Sequence, residues 1–242
     1  MWIEVAKIAI ASLFLLYSCI LDLRERRIPN KVWKWMFVVL IPFTVYESLS
    51  KTPHQLIFGV AGIILMVSLA YLFYRIGAYG GADAKALMVI ALTFPFYPEF
   101  PPFPILNKGF GIFAFSTLSN SVIAAPFMVI VFAVRNLIRE GVSALKEHPM
   151  GFLFGYRVEV SNFPKFHNIL QAVRDGKVVN LRRGIDPDDS ETGINELEAL
   201  KEAGCEKIWA TPQLPFLIFI TAGFILATFM GDLVVFLITL LL

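Results

Sequence analysis

Read by hydrophobicity, the chain alternates between long apolar blocks and short polar breaks. Apolar runs extend over about residues 3–21, 32–46, 56–76, 83–94, 117–132 and 214–240. A helix needs about twenty such residues to cross a bilayer's hydrocarbon, about 30 Å at 1.5 Å per residue. The pattern therefore predicts six transmembrane helices. The fourth run is short for a full crossing, and its sequel is expected to complete it near the outer interface. That sequel, "FPFYPEFPPFPILNKGFGIF", sets five prolines among phenylalanines. Proline removes a helix donor and aromatics favour the membrane interface, so an interfacial loop is predicted. "RNLIREGVSALKEH" continues the fifth run as an amphipathic helix leaving the membrane.

Between about Pro149 and Ile208 the pattern changes. Charges become frequent, and "YRVEVSNF" and "GKVVNL" read as short strands. "DPDDSETG" reads as an acidic turn, and "INELEALKEAG" as a helix closed by glycine. The predicted fold is a membrane all-α core of six helices, with a small cytoplasmic α+β domain between helices five and six. The expected divisions are residues 1–148, 149–210 and 211–242.

Composition sharpens this reading. Hydrophobic residues make up 57% of the 242 and charged residues 17%, against about 45–50% and 25% in soluble domains. A net charge of +2 is too small to suggest a nucleic-acid partner. Cys19 and Cys205 make no disulfide framework, and His54, His148 and His167 have no metal-ligand spacing. Arg24, Arg26, Arg27, Lys31 and Lys34 follow the first run, Arg75 and Lys85 flank a glycine turn, and Arg135 and Arg139 follow the fifth run. The other ends carry only Lys7, Lys51 and Lys108. By the positive-inside rule, the glycine turn, the "DLRERR" loop and the polar domain face the cytoplasm, and both termini face outward.

That topology places two acids at one depth. Asp22 ends the first span and Asp83 begins the fourth, both on the cytoplasmic side. If those spans pack together, the carboxylates meet. Two carboxylates sharing a site do not both ionise easily, so one keeps a proton while the other accepts one from water. This is the chemistry of aspartic proteolysis. Each aspartate alone also has an ordinary role: Asp22 can pair with Arg24 or Arg26, and Asp83 suits a helix first turn. Intramembrane acids also serve ion and proton paths.

The combination of "GGADAK" at residues 80–85 with an aspartate closing the first span and "RRIPN" after it resembles the GxGD membrane aspartyl proteases. Within them it is similar to the type IV prepilin peptidase family, most of all its archaeal preflagellin peptidase branch. Six spans and "EKIWATPQLP" before the last span also fit that branch. The resemblance implies that Asp22 and Asp83 are the catalytic pair. It also implies substrates among preflagellins or pilin-like precursors, cut between a basic leader and a hydrophobic helix at the cytoplasmic face. Ala82 stands where the family pattern has glycine, and Leu21 stands before Asp22 where presenilin-like proteases carry tyrosine. The cysteine-bearing domain and methyltransferase region of many bacterial relatives are absent, so no N-methylation is expected.

Gly80, Gly81 and Ala82 are candidate substrate-binding residues, since small residues let an extended peptide approach the backbone. Lys85 is a candidate to bind lipid phosphate, to moderate the acid pair, or simply to snorkel. Asp186, Asp188, Asp189 and Glu191 form either a dock for a basic leader or a solvated turn, and "RERR" suits anionic lipid. No metal or cofactor is called for. Membrane lipid is an expected partner, and the pattern leaves the oligomeric state open. Two other readings are an ion- or proton-coupled carrier using both aspartates as a relay, and a non-catalytic assembly factor.

Overall fold

A computed structural model describes residues 2–76, 79–98, 105–187, 191–213 and 215–242. The elements run α1 (Trp2–Glu25), α2 (Asn30–Ser48), α3 (Pro53–Arg75), α4 (Gly81–Thr93) and α5 (Phe113–Glu140), then α6 (Ser143–Glu147), α7 (Pro149–Phe154) and β1 (Tyr156–Glu159). They continue as β2 (His167–Arg174), β3 (Lys177–Ile185), α8 (Glu191–Glu202), β4 (Lys207–Pro212), α9 (Phe216–Phe229) and α10 (Leu233–Leu241). The chain divides into two compact units, one of Met1–Ala125 with Pro215–Leu242 and one of Pro126–Leu214.

The first unit is helical. Among the described residues, α1, α3 and α5 are long and apolar enough to cross a membrane. The polar breaks seen in the sequence become the helix ends. Thr52 caps α3, its hydroxyl accepting from Gln55 N–H while Gln55 Oε1 accepts from Thr52 N–H, with Pro53 opening the helix. The short α4 is central and packs against α2, α3 and α9. Ala84, Ala86, Leu87, Val89, Ile90 and Ala91 are all buried along it. A helix apolar on every side belongs inside a core, which accounts for a segment too short to cross by itself. α1 packs on α2 and α9. Thus α2 and α9 both contact α1 and α4.

The stretch expected to form one span over 214–240 is two helices. α9 ends at Phe229 and α10 starts at Leu233. Gly231 takes a left-handed φ of +91°, and Asp232 Oδ1 caps α10 by accepting from Val235 N–H at 3.1 Å. The break is anchored to α5: Ser119 Oγ donates to Asp232 Oδ1 at 2.9 Å, and Asn120 bonds Gly231 O and Leu233 N. Asp232 is the one charged residue of that run, and with Gly231 it marks the break.

The second unit holds an antiparallel sheet in the order β1–β4–β2–β3. Of the expected strands, "YRVEVSNF" is strand only over Tyr156–Glu159 and "GKVVNL" from Lys177, where β3 runs on to Ile185, while β2 and β4 are additional. The "EKIWATP" stretch is thus largely a central strand, paired to β1 with Tyr156 opposite Ala210. Both faces of the inner strands are covered. Ile169, Ile208 and Ala210 pack with Leu200 of α8, while Leu170 and Trp209 pack with Ala144 and Phe152 of α6 and α7. A strand buried on both faces loses the alternation that marks strands in sequence.

Candidate active site

The site is built where α1 ends and α4 begins. Asp22 lies in the last turns of α1 and is half-buried. Arg26 N–H closes that turn onto Asp22 O at 3.1 Å, and Arg26 reverses the chain with a φ of +52°. One turn before Asp22, Cys19 Sγ lies 3.1 Å from Thr221 Oγ1 of α9. This contact fixes the end of α1 against α9.

Asp83 sits in the first turn of α4 and is 8% exposed. Its Oδ2 accepts from Gly80 N–H at 3.1 Å, the returning half of a capping box whose N-cap has no side chain. Its Oδ1 is buried with no hydrogen-bond partner. Asp22 lies at the end of α1 and Asp83 at the start of α4, and both helices pack on α2 and α9. Among the described residues no hydrogen bond joins the two carboxylates. The helices that carry them are held together by α2 and α9.

The three small residues have different surroundings. Gly80 is an extended N-cap, and a Cβ there would sit 3.1 Å from Asp83 Oδ2. At Gly81 a Cβ would meet only the Tyr74 ring at 3.5 Å, an ordinary contact. Ala82 is half-buried against the helical core.

Two features were not foreseen. Tyr79 stacks on Phe216 at 4.7 Å and 15°, and meets Phe73 edge-on at 5.0 Å. It pins the turn before Asp83 between α3 and α9. Burial raises its hydroxyl pKa, and the Asp83 charge adds to this. Its place directly before the glycine pair's approach was the available signal. Second, Lys85 Nζ donates to Asn30 Oδ1 at 2.7 Å. That bond joins "GGADAK" to "RRIPN".

Of the acidic loop, Asp186 Oδ2 accepts from Gln213 Nε2 at 2.6 Å. Asp188, Asp189 and the Glu191 side chain lie outside the described residues. Among the described residues no cluster of three or more His, Cys, Asp or Glu comes together.

Comparison with known proteins decides the class. Residues 9–134, more than half of the chain, match the profile of the type IV leader peptidase family. The chain belongs to the type IV leader peptidase family. Residues 147–233 match a second profile, the archaeal peptidase A24 C-terminus type II. The chain is similar to the preflagellin peptidase of Methanococcus voltae, 29% identical over 232 residues, covering 93% of this chain and 94% of that one. It is 23% identical to the preflagellin peptidase of Methanococcus maripaludis over 92% of this chain and 94% of that one. The corresponding figures for the Methanocaldococcus jannaschii preflagellin peptidase are 25%, 92% and 93%. As a leader peptidase the chain is a protease, of the aspartic type that the family implies. The family match displaces the carrier reading. Asp22 and Asp83 both fall within the first matched segment.

Proposed function

We propose that this leader peptidase cuts preflagellin-like precursors, with Asp22 and Asp83 as its acid–base pair. The observation that carries the reading is the buried, unpartnered Oδ1 of Asp83, at the start of a helix that shares the neighbours α2 and α9 with the helix carrying Asp22. A buried polar atom left without a partner is costly, and a bound water or substrate group would satisfy it. In the reaction one carboxylate takes a proton from water while the water oxygen bonds to the scissile carbonyl carbon. The other, protonated, carboxyl gives its proton to the amide nitrogen as the C–N bond breaks. The products are a carboxylic acid and an amine, and no covalent enzyme intermediate forms.

The relatives' names support preflagellins as the substrate class, and the family description supports a wider set of pilin-like precursors. The density of Arg and Lys after the first span and beside the glycine turn supports a cytoplasmic site. There it would meet the junction between a basic leader and a hydrophobic helix. Six crossings, with residues 149–210 read as cytoplasmic from the charge pattern, complete the proposed topology. Gly80, Gly81 and Ala82 would border the bound peptide.

The test is cleavage of a preflagellin-like substrate in membranes by wild type, Asp22→Asn and Asp83→Asn. General acid–base catalysis contributes about 10²–10⁴-fold, so each variant should lose at least that while inserting normally. Normal cutting by either variant would remove the pair.

A further inference from the structure

We infer that Asn30 and Lys85 form a strut that sets the spacing between the helix end carrying Asp22 and the helix start carrying Asp83. Both are then positioning residues for the reaction. The inference rests on the reading of Asp22 and Asp83 as the catalytic pair.

The geometry is a short closed circuit. Asn30 opens α2, eight residues after Asp22. The path between them is stiff. Arg26 N–H is bonded to Asp22 O, Arg26 holds a left-handed backbone, and Ile28 packs against the helical core. Pro29 follows at φ −59°, and Val32 N–H returns to Pro29 O at 3.0 Å. On the other side, Lys85 is two residues after Asp83 in the first turn of α4. Residues two apart on a helix point to different sides. Asp83 accordingly turns inward and is buried, while Lys85 is exposed and reaches across to Asn30. Lys85 Nζ to Asn30 Oδ1, at 2.7 Å, closes the circuit.

The partner chosen is informative. The Lys85 ammonium donates to a neutral amide oxygen, while the Asp83 carboxylate takes its hydrogen bond from Gly80. The cation is thus held outside the acid pair, and it ties the segment after Asp22 to the turn containing Asp83. An exposed hydrogen bond contributes little to global stability. Its effect on alignment is another matter, because a misplacement of about 1 Å at reacting groups costs on the order of 10²-fold in rate.

The test uses the full chain in membranes, with Asn30→Ala, Lys85→Met, the double variant and Asn30→Asp. Each single truncation should lower kcat by about tenfold to a hundredfold, with KM and Tm close to wild type. The double variant should be no worse than the poorer single one. Asn30→Asp, which keeps an acceptor for the ammonium, should retain most of the activity. Multiplying losses in the double variant, a loss confined to KM, or wild-type kcat in both truncations would each overturn the strut. Asp22→Asn and Asp83→Asn are run alongside. If they are inactive while the truncations behave as wild type, the strut fails and the catalytic pair stands. If either aspartate variant cuts normally, the pair fails, and the strut as a device for aligning it fails too.

Discussion

Gly80 donates its backbone N–H to Asp83 Oδ2 at 3.1 Å and leaves Oδ1 of the same carboxylate buried and unpartnered. One oxygen is held and the other is open to chemistry. A Cβ at Gly80 would press on the held oxygen from 3.1 Å, whereas one at Gly81 meets an ordinary contact. Gly80→Ala should therefore lower kcat by about tenfold or more by moving the carboxylate. Gly81→Ala should lower cleavage less, because its Cβ leaves the Asp83 carboxylate undisturbed. Side-by-side cleavage assays at matched membrane levels check both.

Tyr79 separates ring from hydroxyl. Its two aromatic contacts are each worth about 0.5–1.5 kcal/mol beyond area. Tyr79→Ala should lower stability by roughly 1–3 kcal/mol through these contacts, with the lost ring burial adding to it, and depress activity by loosening the turn before Asp83. Tyr79→Phe keeps the stack on Phe216 and should melt close to wild type. Thermal unfolding of the purified proteins, with cleavage rates, tests the pair.

Lys7 was readable only as one of the few charges away from the basic loops. It is 2% exposed and bonded to Glu47 Oε2 at 2.8 Å, with its ammonium 4.5 Å from the Phe94 ring centroid. Removing one partner of such a buried pair leaves the other charge poorly compensated, although Glu47 keeps Lys51 Nζ at 4.0 Å, at a cost of up to about 3–5 kcal/mol. Lys7→Met and Glu47→Leu should each destabilise by that order, and Lys7→Met with Glu47→Leu should recover much of the loss. A double-mutant cycle on Tm measures it.

At Gly223, α9 approaches α5 backbone to backbone. A Cβ there would lie 2.2 Å from Thr117 O and 2.8 Å from Ser121 N. Rigid helices cannot absorb that overlap. Gly223→Val should separate the pair and sharply reduce the yield of folded protein, whereas Gly59→Ala meets chiefly the movable Phe96 ring and should be milder. Size-exclusion profiles of the two purified variants distinguish the outcomes.

The helices of the first unit were largely readable because apolar runs and polar breaks coincide with helix bodies and ends. Even the short α4 stood out. The central strands were hidden because covering both faces of Ile169, Leu170, Ile208 and Trp209 erased their alternation. The interruption after Phe229 was hidden because only Gly231 and Asp232 mark it. Asp22 and Asp83 could be proposed from motif and topology. That α2 and α9 both pack on their helices could not, since helix neighbours depend on packing that no single span encodes. The Lys85–Asn30 bond likewise depends on how the Arg26 reversal aims the start of α2.

The place of α9 in the chain has a consequence for timing. α1 to α4 are synthesised first, but the wall that touches both α1 and α4 includes residues 216–229. Those residues leave the ribosome only after the whole of Pro126–Leu214 has been made. Cys19 and Tyr79 must wait for Thr221 and Phe216 to arrive. The helices carrying Asp22 and Asp83 are therefore present before α9, the later segment that closes the wall against both. The spacing of Asp22 and Asp83 is thereby tied to a helix made well after both.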